Sequence, residues 1–192
     1  MKTLSAIRET VRQFLKDEFQ AEEEMAFEDD ELDLHIFNVL TDISMRSPYE
    51  VKETVVSDGT VNISLTAITN LIGDRVVEVE YPTGESPQSF LRDFRLFGTT
   101  LTLTDAPTSG ANVYLYCHKV HSLTESSSSL TADLEKVLID GVVAKAALGW
   151  LNEMRSQIVP SSQRWYHTWG SQQFAMYQAG LNSITKPKAW QY

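Results

Sequence analysis

From Val137 to Leu151 the chain reads VLIDGVVAKAALGWL, and a helix over this run is apolar on nearly every side. With about 100° between successive residues, Asp133, Lys136 and Asp140 share one narrow polar stripe, and Lys145 and Asn152 share another roughly opposite. A helix from Leu130 to Met154 therefore has two apolar faces and has to be covered twice, by the protein's own sheet or by a neighbouring subunit. A membrane span needs ~20 predominantly apolar residues, and Asp140 and Lys145 interrupt this run, so that alternative is rejected. Ser126 to Ser129 make a polar approach, Ser129 or Thr131 supplies a cap, and Asp133 and Glu135 suit the positive end of the helix dipole. Gly141 and Gly149 each weaken a helix by ~1 kcal/mol relative to alanine, a cost that close packing offsets. Both are expected contact points.

The 192 residues can form one large domain or two small ones. Sixteen basic against 26 acidic residues give a net charge of −10, which argues against a protein built to grip nucleic acid phosphates. The charge is polarised: residues 1–50 carry 5 basic and 13 acidic groups, whereas 156–192 carry 3 basic and none acidic. Such polarity suits head-to-tail or ring assembly. A single cysteine, Cys117, excludes an intramolecular disulfide and any multi-cysteine metal site. The opening MKTLSAIRETVRQFLKDEF has charges throughout and no apolar core, so the expectation is an intracellular product without a signal peptide.

Leu4, Ile7, Val11, Phe14, Leu15 and Phe19 recur at helical spacing, which predicts an amphipathic helix from 4 to about 19. The acids Glu22, Glu23, Glu24, Glu28, Asp29, Asp30, Glu31 and Asp33 lack the glycine and distant glutamate of a calcium loop. They read instead as the start of a second helix, capped by Asp29 or Asp30 and buried through Leu32, Ile36, Val39, Leu40 and Ile43. Ser47 and Pro48 stop it.

From Tyr49 the period becomes twofold. Val51 and Val55, then Val61, Ile63 and Leu65, flank the turn Ser57–Thr60, so residues 49–66 are expected to pair as a hairpin. A short turn at Ala67–Leu71, closed by Gly73, leads to a strand at Val76–Tyr81, and Phe90–Gly98 is ambiguous. Leu101–Thr104 is expected to pair with Val113–Val120 across the turn Asp105–Gly110. After the central helix, Pro160 breaks the chain and a last helix runs from Ser161 or Ser162 to Ile184. Its aromatics, Trp165, Tyr166, Trp169, Phe174 and Tyr177, lack a basic groove and read as core or subunit-interface packing. The fold class is α+β: an N-terminal helical hairpin (1–47), an antiparallel β-module (48–125), C-terminal helices completing the bundle (126–182) and a flexible tail (183–192). The tail, with two lysines and two terminal aromatics, reads equally as a docking peptide and as an unused end.

No motif asks for catalysis. His118 and His121 would fall on opposite faces of one strand and cannot chelate together, and His35 and His167 read as satisfied or solvent-facing. There is no phosphate-cradling loop, no GxSxG and no HExxH. Cys117, in an alternating strand, reads as a buried hydrophobe. No metal or cofactor is expected.

Several stretches resemble the head-to-tail adaptor proteins of tailed bacteriophages. They are the first helix LxxIRxxVRxxLxDE (Leu4, Ile7, Arg8, Val11, Arg12, Leu15, Asp17, Glu18), the acidic DDELD that opens the second helix, and a strand of the form Val-x-Leu-x-Cys-His. A serine-rich link and a GVVAKAAL small-residue run complete the set. The resemblance implies a virion protein at the neck, assembled in the host cytoplasm, that forms a homo-oligomeric ring under the portal protein. Such a ring extends the DNA channel and offers a platform to the next connector or tail protein. It implies portal docking by Lys186, Pro187, Lys188, Trp190 and Tyr192. An acidic channel wall keeps the passing genome from sticking, and Glu22, Glu23, Glu24 and Glu28 are the candidates for it. Asp140, Lys145, Trp165 and Trp169 are the candidates for subunit interfaces. The β-module from Tyr49 to His121 is large compared with mainly helical adaptors. Two rival classes remain: another neck, tail-completion or minor capsid protein, and a small-ligand or enzymatic domain gathering His118, His121 or the Glu22–Asp33 acids.

Overall fold

The structure, a computed structural model, describes residues 1–15, 27–153 and 160–185, the side chains of 74, 75, 152, 153 and 160–166 excepted. In chain order the elements are α1 (Leu4–Leu15), α2 (Asp29–Arg46), β1 (Tyr49–Val56), β2 (Asn62–Ser64), β3 (Leu71–Glu80) and β4 (Phe90–Leu91). They continue with β5 (Phe94–Phe97), β6 (Thr100–Leu103), β7 (Asn112–Lys119), α3 (Ala132–Glu153) and α4 (Pro160–Ile184). The fold is α+β, with helices from both ends of the chain forming one bundle and an antiparallel β-module inserted between α2 and α3. Two compact units result, Met1–Ser47 with His121–Tyr192, and Pro48–Val120.

In the helical unit α3 packs chiefly against α4, then against α2 and α1. Within this unit the apolar residues of α3 are buried against the protein's own helices. Leu138, Val142 and Ala146 are buried together with Leu32, Ile36 and Val39 of α2, Ile7 and Val11 of α1, and Tyr177 and Leu181 of α4. Helical spacing therefore placed the buried stripes of α1 and α2 correctly, except for Phe14, which is 54% exposed. Phe19 lies outside the described residues. The cap of α2 is Glu28, without a side-chain bond, not Asp29 or Asp30; these two occupy the first turn, where the dipole still favours them. At the start of α3, Thr131 gives its carbonyl to the Glu135 amide, and Glu135 in turn accepts from the Lys2 amide at 2.6 Å.

The β unit holds two sheets, ordered β1-β7-β3-β4 and β2-β6-β5, around a shared core that includes Ile63, Val79, Leu101, Val113, Leu115 and Cys117. Neither expected hairpin forms. β1 pairs with β7 (Val51 opposite Cys117), and β2 pairs with β6 (Ile63 opposite Leu101). The turn residues still reverse the chain, but they carry it from one sheet to the other. Ser57 exchanges backbone bonds with Gly110 and Ala111, which holds the end of β1 to the beginning of β7 instead of to β2. Gly73 does not close a turn; it lies within β3 at φ 46°, where the register against β7 slips between Leu71 and Val76. The ambiguous stretch 90–98 supplies β4 and β5.

Candidate functional site

The polar residues that stand out in the helical unit act as joints. The Arg8 guanidinium of α1 donates from Nε and Nη2 to the two carboxylate oxygens of Asp33 on α2, at 2.6 and 2.8 Å. Its Nη1 reaches Glu125 at 2.9 Å and Asp29 at 3.9 Å, and Arg12 donates to Asp29 at 2.8 Å. The fork of a guanidinium fits such bidentate pairing, and the Arg8 side chain is only 18% exposed. Hydrogen bonding to Asp33 raises its already high pKa further.

A second joint links three helices. Lys145 of α3 donates to Asp42 Oδ2 of α2 at 2.8 Å, and the Tyr177 hydroxyl of α4 donates to the same oxygen at 2.9 Å. Burial, reinforced by the Asp42 bond, pushes the Tyr177 phenol well above its ordinary range. The approach of α4 to α3 depends on glycines: a Cβ on Gly141 would sit 2.7 Å from the Tyr177 ring and from Val39, and one on Gly180 would sit 2.9 Å from Val137. Gly149, by contrast, has its nearest neighbour, His35, at 3.8 Å, an ordinary contact. Only one of the two expected glycine contacts is therefore tight.

His121 ties the points where the chain leaves and re-enters the helical unit. Its amide donates to Ser44 Oγ at 3.0 Å, its Nε2 donates to the Ser47 carbonyl at 2.9 Å, and Nδ1 meets Ser129 Oγ at 3.0 Å. A carbonyl partner requires Nε2 to carry the proton, and Nδ1 is left to the Ser129 hydroxyl. Ser129 is thereby a histidine partner rather than the helix cap. Replacing His121 by alanine keeps the amide bond to Ser44 but strands the buried Ser47 carbonyl, at about 1–3 kcal/mol, and leaves the half-buried Ser129 hydroxyl without its ring partner. A loss of about 2 kcal/mol in unfolding free energy is expected, read by urea denaturation of the full chain.

In the β unit the buried Glu80 carboxylate accepts from the Tyr116 hydroxyl at 2.7 Å, and from the Gly84 amide and Gln88 Nε2 at 3.4 Å. These bonds anchor the loop 81–89; the Glu80 bond also raises the Tyr116 pKa. Burial pushes the Cys117 thiol up to about 11, which keeps it protonated and poorly nucleophilic near neutral pH. A cleft of about 570 Å³ opens between Arg92, Asp93, Arg95, Thr102 and Thr104. Sequence reading missed it, and nothing local in Arg92 or Arg95 announces it.

Of the sequence-derived candidates, Lys145 is engaged within its own helical unit, and Asp140 is half-buried on α3, where burial raises its carboxyl above the ordinary range. Trp169 is half-buried against the helical core, and Glu28 is exposed. Glu22, Glu23, Glu24, Lys186, Pro187, Lys188, Trp190 and Tyr192 lie outside the described residues, as does the side chain of Trp165. His118 lies on β7 one residue before its end, His121 belongs to the helical unit, and His167 is exposed on α4. Among the described residues no three His, Cys, Asp or Glu side chains are placed to hold a metal, and no helix is long and apolar enough to cross a membrane.

No protein-family model matches the chain, and no curated protein does. Among solved structures, one similar chain is described as the neck of an empty GTA particle computed with C6 symmetry. The TM-score is 0.34 at 13% identity, with 74% of this chain and 76% of that chain covered. A TM-score this low decides neither fold nor function.

Proposed function

We propose that this chain is a structural neck protein of a tailed-phage-like particle: a head-to-tail adaptor that forms a ring under the portal, extends the DNA channel and carries the next connector or tail protein. One observation carries the reading. The motifs that resemble the adaptor family are also the residues that join its helices: Arg8 and Arg12 of the first motif bond the DDELD acids, and Lys145 of the small-residue run bonds Asp42. The net charge of −10 supports a conduit that DNA passes without sticking. The role is one of assembly, without catalysis or cofactor, in the virion neck.

The portal is the deciding partner, because another neck or minor capsid protein would assemble without it. Removing Thr185 to Tyr192 is expected to abolish co-sedimentation with the portal while the far-ultraviolet circular dichroism of the chain stays unchanged. Binding that survives the deletion removes the docking role from Lys186, Pro187, Lys188, Trp190 and Tyr192.

A further inference from the structure

We infer that the outer face of the β2-β6-β5 sheet is a docking surface for the α2 helix of a second copy of this chain. The inference deepens the ring reading, on which it rests. Along β5 the burial alternates, so Arg95 and Phe97 point outward together, and Phe97 is 91% exposed. Arg92 shares the cleft with Arg95, and among the described residues neither has an acid partner in a hydrogen bond or ion pair. An unpaired arginine couple beside a bare aromatic calls for a partner presenting an acid next to apolar side chains.

The chain carries such a surface itself. On α2, Asp30, Leu34 and Phe37 follow at i, i+4 and i+7 and share one helix face, which points away from the bundle core. Leu34 is 61% and Phe37 44% exposed, and Asp30 is exposed at the helix start without a side-chain partner. Charge meets charge and apolar meets apolar when this stripe lies over Arg92, Arg95 and Phe97, a pairing that also suppresses wrong registers. The contact is heterologous, joining the helical unit of one copy to the β unit of the next, which is the kind that closes into rings. A polyanion is a poorer occupant, since Asp93 lines the same cleft and Phe97 offers phosphates nothing.

Sedimentation velocity of the full chain from micromolar to millimolar concentration tests this. The unaltered chain is expected to form larger species as concentration rises. R92E/R95E and D30R are each expected to weaken that association at least roughly tenfold, and combining them to restore it. Circular dichroism checks that each variant stays folded. A chain that remains monomeric at millimolar concentration overturns the inference, as does association unchanged by either reversal. Binding of a duplex DNA fragment that R92E/R95E abolishes, with self-association intact, would give the patch to nucleic acid instead. Portal binding is scored separately. If the portal captures the chain with the reversals harmless, the interface is wrong and the adaptor reading stands; self-association without portal capture means the converse.

Discussion

Replacing Gly141 by alanine is expected to destabilise the helical unit by about 2–3 kcal/mol, because one methyl group enters a space that α4 already fills. The added carbon would lie 2.7 Å from two atoms of the Tyr177 ring and from Val39 Cγ1. None of these neighbours can retreat cheaply. Tyr177 is 1% exposed and held by its bond to Asp42, and Val39 is fully buried on α2. The adjustment has to come from the α3–α4 spacing, so the Lys145–Asp42–Tyr177 joint would loosen together with the packing. Gly149→Ala is the matched control. Its Cβ has open space up to His35 at 3.8 Å, and alanine favours a helix by ~1 kcal/mol over glycine, so that variant is expected to be neutral or slightly stabilised. Chemical denaturation of the two variants side by side reads the difference. Equal effects would contradict the close approach at Gly141.

Arg8→Ala is expected to cost about 2–3 kcal/mol, the second large effect, because one guanidinium serves three carboxylates, two on α2 and one in the stretch before α3. Asp33, only 21% exposed beside Arg8, would lose its bidentate partner, while Glu125 and Asp29, each more than half exposed, would rehydrate more easily. Most of the loss therefore belongs to the Asp33 bond, and Arg8→Lys is expected to recover only part of it, since an ammonium cannot present the same planar fork. Denaturant midpoints with and without added salt separate the contributions. The salt-sensitive part reports the exposed Glu125 and Asp29 pairs, and the remainder reports Asp33.

How much of this was legible in the chain depends on the distance over which each feature is encoded. The buried stripes of α1 and α2 were readable, because helical burial repeats within a few residues; Leu32, Ile36, Val39, Leu40 and Ile43 all lie in the core. The doubly apolar character of α3 was readable too, but not what covers it: α4 follows α3 in sequence and still had to be placed by packing, through Gly141 and Gly180. Strand positions came from alternation, whereas strand partners did not. Alternation says which side faces a core, and the same pattern serves either sheet of a sandwich, so the turns at Ser57–Thr60 and Asp105–Gly110 pointed to the wrong neighbours. Arg8 and Asp33 were both noticed, as parts of separate motifs. Their bond joins residues 25 positions apart, and no local period encodes it. Arg92 and Arg95 passed unnoticed for the same reason, since only the pairing of Arg95 with Thr102 across β5 and β6 brings the cleft together.

The role in a particle neck is tested most directly by electron microscopy of this chain mixed with its own portal protein. The account predicts closed rings of the chain seated on one end of the portal, coaxial with its channel. Portal assemblies that stay bare in the presence of excess folded chain would contradict it.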